Sequence, residues 1–335
     1  MIVSASYRTD IPAFFADWFR ARLAAGAVEV ANPYGGKPFR VALRGDGVDG
    51  YVFWTRNAAP FADAFDDVAA LSLPFVVQYT ITGYPRALDA HTPRREDAIA
   101  QVAALAARFG ARAVVWRYDP VVITSVTDAG WHRRNFADIA RKLAGSVDEC
   151  VVSAAHIYKK TERRLNIAAG THEFTWEDPD WDRKRGLLGE LSEIAADNGI
   201  GTAVCSQPDV LSATLGAAAC IDAARLSDVA GYEITARRKG NRDGCLCAES
   251  RDIGAYDTCA HGCAYCYAVS DHGRAVQKLR ETSFCLAITS SSRFRRWSDP
   301  EPASGSLFLA WMQDWNRIRA RSQATSRASP SPSVS

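Results

Sequence analysis

The feature that most restricts the fold is a rhythm. Short, continuous apolar runs alternate with longer amphipathic stretches through the first two-thirds of the chain. "IVSAS" (2–6) leads into "IPAFFADWFRARLAAG", and "VEVAN" (28–32) into a glycine turn and a small hairpin through "FRVAL". "YVFWT" (51–55) precedes a helical pattern near 60–71, and "FVVQYT" (75–80) precedes "REDAIAQVAALAARFG". "AVVWRY" (113–118), "CVVSAA" (150–155) and "GTAVCS" (201–206) continue the series, and "AAACID" (217–222) reads as an eighth strand. Runs that are apolar on both faces belong in a parallel sheet covered by helices. Seven or eight such units predict an α/β fold, a parallel (β/α)8 TIM-like barrel, complete or partial. A doubly wound open sheet is the alternative.

Composition narrows the class. The chain has 335 residues, 47% of them apolar, with nine Trp and a net charge of +2. That is ample for a large core, and the near-zero charge argues against a dedicated nucleic-acid binder. The basic runs "RFRRW" (293–297) and "RIRAR" (317–321) read as solvated helix faces. There is no signal-peptide pattern and no apolar run long enough to span a membrane, so a cytoplasmic protein is expected. In a reducing compartment, nine cysteines point to metal or redox chemistry rather than disulfides.

Active sites of parallel barrels lie at the C-terminal ends of the strands. Here those ends are polar and aromatic: Arg8, Thr9 and Asp10; Asn32 and Pro33; Trp54, Thr55, Arg56 and Asn57. Tyr79, Thr80, Thr82 and Tyr84 follow, then Trp116, Arg117, Tyr118 and Asp119, then Ser153, Tyr158 and Lys159. Any one of them can simply brace a loop. As a set they predict a polar cavity suited to a charged small molecule.

Residues 240–268 break the rhythm, reading as a loop shaped by its ligands with a helix following at 271–281, and "DTCAHGCAYCYA" (257–268) closes that loop. Cys259, Cys263 and Cys266 stand as Cys-x3-Cys-x2-Cys, with Tyr265 before the last. Zinc ribbons and ferredoxin-type clusters normally take four protein ligands. Three thiolates in one tight loop suit three corners of a 4Fe–4S cube whose fourth iron stays open. A structural zinc site completed by His261 is the competing account.

The spacing resembles the signature of the radical S-adenosylmethionine enzymes. More closely, the chain resembles the DUF1848 family, whose C-terminal cysteine cluster is similar to that signature. The resemblance covers about residues 1–270 and is carried by "RTDIPAF", "VFWTRN", "TITGY", "WRYDP", "CID" and "CLCAESRDIGAYDTCAHGCAYCYA". It implies a 4Fe–4S cluster on Cys259, Cys263 and Cys266, and S-adenosylmethionine as cofactor. It also implies an electron donor such as flavodoxin or ferredoxin, and a small-molecule or macromolecular substrate of unknown identity. Tyr265 is expected beside the adenine. Arg8, Asp10, Thr55, Thr80, Arg117 and Asp119 are candidates to hold the charged ends of cofactor or substrate. One departure matters. In ordinary radical S-adenosylmethionine enzymes the cysteine loop follows the first strand, whereas here it comes after the last. A closed barrel sets its last strand beside its first, so the loop is expected to reach the same mouth.

Four more cysteines form a second expectation. Cys205, Cys220, Cys245 and Cys247 supply enough thiols for an auxiliary 4Fe–4S cluster or a four-thiolate zinc site; buried core thiols are the competing account for Cys205 and Cys220. Cys150 and Cys285 sit in apolar runs and read as core. The expected organisation is a barrel over 1–238, a cluster-binding segment packed on its mouth over 239–290, a helical extension over 291–321 and a disordered Ser/Pro-rich tail over 322–335. Two functional rivals remain: a non-catalytic iron–sulfur electron carrier or nucleic-acid binder, and a zinc-stabilised barrel enzyme.

Overall fold

The computed structural model describes residues 1–32, 35–240, 242 and 244–290, with side chains described up to residue 282. The expectations for Pro33, the Cys285 side chain, 291–321 and the tail lie outside the described residues. β1 (Ile2–Ala5) precedes α1 (Ile11–Phe14) and α2 (Ala16–Ala25), and then come β2 (Ala27–Val30) and β3 (Phe39–Ala42). β4 (Gly50–Thr55) precedes α3 (Ala62–Ala70), and β5 (Phe75–Thr80) precedes α4 (Arg95–Phe109). β6 (Val114–Val121) and β7 (Ile123–Thr124) precede α5 (Ala129–Leu143), and β8 (Glu149–Ala154) precedes α6 (Lys159–His172). β9 (Trp176–Glu177), α7 (Trp181–Ala196), β10 (Gly201–Val204), β11 (Gly216–Ala217), α8 (Ala223–Ala230), β12 (Ser250–Asp252) and α9 (His272–Ser290) complete the order.

Eight of these strands form one sheet in the order β11-β10-β8-β6-β5-β4-β1-β12. Every pairing in it is parallel. The order is sequential, except that the last strand lies against the first. The end strands, β11 and β12, do not pair with each other, so the ladder is not closed. Across that seam Ala248 N donates to Ile221 O at 2.8 Å.

The two sheet faces carry separate cores. Val3, Phe53, Val77, Trp116, Val152 and Val204 alternate with the inner residues and pack under the helices. Ile2, Val52, Val76, Val115 and Val151 point the other way, and join Cys205, Ala218, Cys220, Leu226 and Cys247 in a smaller cluster. The sheet curls to enclose that second face. Gln78 of β5 donates across it to Cys220 O beyond β11, at 2.9 Å, although three strands separate β5 from β11 in the ladder. Aspartates cap the N-termini of α1, α5, α7 and α8: Asp10, Asp128, Asp180 and Asp222 each accept a backbone N–H of the first turn. Met1–Leu286 form one compact unit.

Two expectations need correcting. "VEVAN" does not join the main sheet: Ala27–Val30 pairs antiparallel with Phe39–Ala42, so Asn32 is not at a sheet mouth. Its alternation of buried Val28, exposed Glu29 and buried Val30 is the pattern of a ribbon with one wet face. "AAACID" supplies only Ala217 of the short β11 (Gly216–Ala217), because Asp222 caps α8 and turns the chain into a helix. The eighth strand is instead "SRD" (250–252), inside the cysteine-rich segment. It has no apolar run to announce it, since its buried residue is a carboxylate.

Candidate functional site

That carboxylate, Asp252, ties the cysteine-rich segment to the start of the chain. It accepts from Ser4 Oγ at 3.0 Å, Ser6 Oγ at 2.8 Å, Tyr7 N at 3.1 Å, Arg8 Nε at 2.8 Å and Gly254 N at 2.9 Å. Arg8 and Asp252 are 5% and 4% exposed. Arg8 is therefore committed, through Nε and Nη2, to Asp252. The chain at Gly254 passes so close to Ser6 that a Cβ would lie 2.0 Å from its Oγ, which only glycine tolerates.

From there the segment crosses the C-terminal ends of β1, β4 and β5. Ala264 N bonds Leu88 O at 2.8 Å, and His91 N bonds His261 O at 3.0 Å. Gly262 turns the loop at φ +72°, where a Cβ would press on His91 Cδ2 at 3.1 Å. From α6, Arg164 Nη2 donates to Cys263 O at 2.7 Å and Arg163 Nη2 to Ser270 O at 3.2 Å. The loop thus carries its own turn residues but borrows its position from three strand ends and one helix.

Cys259, Cys263 and Cys266 are each partly exposed and within electrostatic reach of one another. Burial first, then Asp10 and Cys266, push the Cys259 thiol up to about 12. Burial also pushes Cys263 well above the ordinary thiol value, with Asp89, Cys266 and Cys259 adding to it and Arg56 opposing. Arg56 Nη1 approaches Cys263 Sγ at 3.6 Å and pairs with Asp89 at 2.7 Å. Asp89 also accepts from Tyr265 OH at 2.7 Å and Thr82 Oγ1 at 2.8 Å. Burial opposes its charge, but Arg56 and these hydrogen bonds hold its carboxyl below the usual range.

His261 does not turn toward the thiols. Its Nε2 bonds Asp10 Oδ2 at 2.8 Å and its Nδ1 faces His91 O at 3.5 Å. Asp10 is likewise used, capping α1 and accepting from Arg56 N at 2.7 Å. Tyr265 is 8% exposed, with its hydroxyl shared between Asp89 and Arg56. The aromatic that the loop leaves exposed is Tyr267, whose OH donates to Tyr7 O at 2.7 Å. Thr55 Oγ1 accepts from Asn57 N at 2.9 Å, and Thr80 is half-buried beside Arg117 in the ladder.

Arg117 and Asp119 belong to the other group of cysteines. They are ion-paired, with Ser153 Oγ also donating to Asp119. Arg117 Nη1 reaches Cys220 Sγ at 3.1 Å and Gln78 Oε1 at 3.1 Å. Cys220 Sγ lies 3.5 Å from Cys205 Sγ. Cys220 also lies within interaction range of Cys247, and Cys247 within range of Cys245. A hydrogen bond with Cys205 works to lower the Cys220 value, but its interaction with Cys247 and its burial win and raise it to about 11. Cys150, by contrast, is fully buried in the helix-facing core. Among the described residues, no group of three or more His, Cys, Asp or Glu side chains stands ready-arranged around a metal ion. A cavity of about 270 Å³ at the ends of β6 and β8, lined by Val121, Asp128, Ala154, Asp178 and Lys184 among others, contains no cysteine.

Asp89, Asp252, Arg164 and Arg242 escape sequence reasoning, because each acts through a partner more than 30 positions away. Only the string "ESRDIGAYDT" around Asp252 carried a signal, as part of the family resemblance. No described helix is long and apolar enough to cross a membrane. No curated protein and no solved structure matches the chain. The family described as "Domain of unknown function (DUF1848)" matches residues 2–268, a span that takes in the sheet, both cysteine groups and the whole signature loop. The chain belongs to the DUF1848 family.

Proposed function

We propose that this protein is a radical S-adenosylmethionine-type iron–sulfur enzyme built on a barrel-like (β/α)8 sheet, acting in the cytoplasm. The observation that carries the reading is the three-thiol loop lying over the ends of β1, β4 and β5, with the nearby His261, Asp10 and Asp89 side chains each held by other partners. The loop's own imidazole, His261, has both ring nitrogens engaged elsewhere. Such a donor set fits a 4Fe–4S cluster with one iron open to a small molecule. Cys259, Cys263 and Cys266 would hold it. Such a cluster would supply the one-electron reduction, from a donor such as flavodoxin or ferredoxin, that cleaves the sulfonium C5′–S bond of S-adenosylmethionine.

The chain's own residues do the rest. Arg56 places a buried positive charge beside Cys263, which offsets the charge of a thiolate there. Asp89, Thr82 and Tyr265 hold that guanidinium in place. Asp10 keeps His261 away from the thiols. Arg164 pins the loop backbone at Cys263. Tyr256 and Tyr267 are exposed near Arg8 and Cys266, and offer aromatic surface to an adenine or a substrate.

The test is anaerobic reconstitution with iron and sulfide, reduction, and incubation with S-adenosylmethionine. Formation of 5′-deoxyadenosine that is lost in each single Cys→Ala variant at 259, 263 and 266 supports the reading. A triple variant that still cleaves S-adenosylmethionine at the original rate overturns it.

A further inference from the structure

We propose that Cys205, Cys220, Cys245 and Cys247 form a second, separate metal site, holding one divalent thiophilic ion of the zinc type that staples the open seam of the sheet. The inference is independent of the radical reading, since it uses none of the three loop cysteines.

The first argument is spacing. The four thiols are linked in series from Cys205 through Cys220 and Cys247 to Cys245. The Cys205–Cys220 separation is 3.5 Å. Sulfurs bound to one tetrahedral ion at about 2.3 Å stand roughly 3.8 Å apart. The thiolates of a four-iron cube each take a different iron and stand farther apart. One tetrahedron edge is thus nearly formed, and among the described residues the four thiols do not form a closed ligand shell.

The second argument is what faces the sulfurs. Arg117 Nη1 donates to Cys220 at 3.1 Å, Arg242 Nη2 to Cys205 at 3.4 Å and Ile221 N to Cys247 at 3.4 Å. A neutral thiol is a weak acceptor and does not call for guanidinium donors. A metal-bound thiolate does, and N–H···S bonds of this kind orient it and spread its charge. Four thiolates and one divalent ion carry a net charge of −2, which Arg117 and Arg242 offset in part, Arg117 being shared with Asp119.

The third argument is position. β11 and β12 are the end strands of the ladder, and they do not pair with each other. Cys220 follows β11 and Cys247 precedes β12, while Cys205 follows β10. The seam is crossed by Ala248 N to Ile221 O and by Ile221 N to Cys247 Sγ. An ion here would supply coordinate bonds where strand hydrogen bonds are missing, so its binding energy would be folding energy.

The experiment uses the full-length chain with Cys259, Cys263 and Cys266 all changed to Ala, purified anaerobically. The expected result is about one zinc per chain with no acid-labile sulfide. That zinc should fall to a small fraction when Cys220→Ser is added and stay unchanged with Cys150→Ala. Chelation should lower the melting temperature by several degrees, and zinc should restore it. Cobalt(II) loaded into the chelated, otherwise intact seam should give the thiolate charge-transfer and strong visible bands of a tetrahedral site, which reports coordination without relying on a variant that misfolds. A folded triple variant with no stoichiometric metal and no cobalt bands overturns the proposal. So does zinc that survives Cys220→Ser, or iron with matching sulfide in place of zinc. None of these outcomes depends on whether the loop cysteines bind a cluster.

Discussion

The signature loop and the seam both gather cysteines, but in different ways. Cys259, Cys263 and Cys266 come from one stretch of eight residues, and the turn that shapes it is its own Gly262. The seam draws Cys205, Cys220 and the Cys245–Cys247 pair from three segments. The loop keeps its own imidazole from the thiols, with His261 held by Asp10. The seam instead accumulates donors around its sulfurs. The loop is partly exposed and lies over strand ends, whereas Cys205, Cys220 and Cys247 are buried in the inner core. An open, three-ligand arrangement suits reactivity, and an enclosed four-ligand arrangement suits cohesion.

The largest effect that separates the two is on metal content. Cys263→Ala should abolish cluster iron and S-adenosylmethionine cleavage while leaving the thermal unfolding midpoint within a few degrees of the original. Cys220→Ser should keep the loop's iron but cost about 4 kcal/mol or more of unfolding free energy, the scale of losing a structural metal. If both variants lose iron and stability alike, the two regions are one site and the comparison fails.

Next in size is the ion pair that steadies the loop. Arg56 and Asp89 are 12% and 2% exposed. Arg56→Met leaves Asp89 buried without its cation and should cost about 3–5 kcal/mol in chemical denaturation. The double variant with Asp89→Leu should recover part of that loss, because the uncompensated charge is gone. Strict additivity of the two single changes would show that the pair is not coupled.

The smallest effect sets a baseline shared by both regions. His132 lies in the helix-facing core, with Nδ1 at 2.8 Å from Tyr118 OH and Nε2 at 3.0 Å from Val122 O. Burial lowers its pKa to about 4, with the Val122 hydrogen bond opposing. Its folded value is below its unfolded value of about 6.5, so the unfolded chain takes up a proton first as pH falls. Its neutral form therefore favours folding fully above about pH 6.5, and that contribution drains away toward pH 4. Between pH 7 and 5 the loss should be about 2 kcal/mol, measured by urea denaturation. His132→Gln should flatten that slope. If it does not, acid sensitivity must be sought at the cysteine regions themselves.

Much of the sheet was legible from sequence because six of its strands are continuous apolar runs: "IVSAS", "YVFWT", "FVVQYT", "AVVWRY", "CVVSAA" and "GTAVCS" all place strands of the main sheet. The two failures share a cause. "VEVAN" has strand character without a buried second face, and "SRD" has a buried position without apolar character. Periodicity reports burial by apolar side chains and is blind to a carboxylate buried by hydrogen bonds.

The sequence by itself determined what is local. The Cys-x3-Cys-x2-Cys spacing, the glycine within it and the family membership all follow from neighbours along the chain, because a few peptide units limit how far three side chains can spread. Only the tertiary structure decided the rest: that Arg8 serves Asp252, that Arg117 serves Cys220 rather than the loop, that Tyr265 is enclosed while Tyr267 is exposed, and that Cys205 meets Cys220 at 3.5 Å. Those contacts depend on how the sheet curls and where its last strand docks. Curl and docking arise from the summed packing of two cores, which no short stretch of residues encodes.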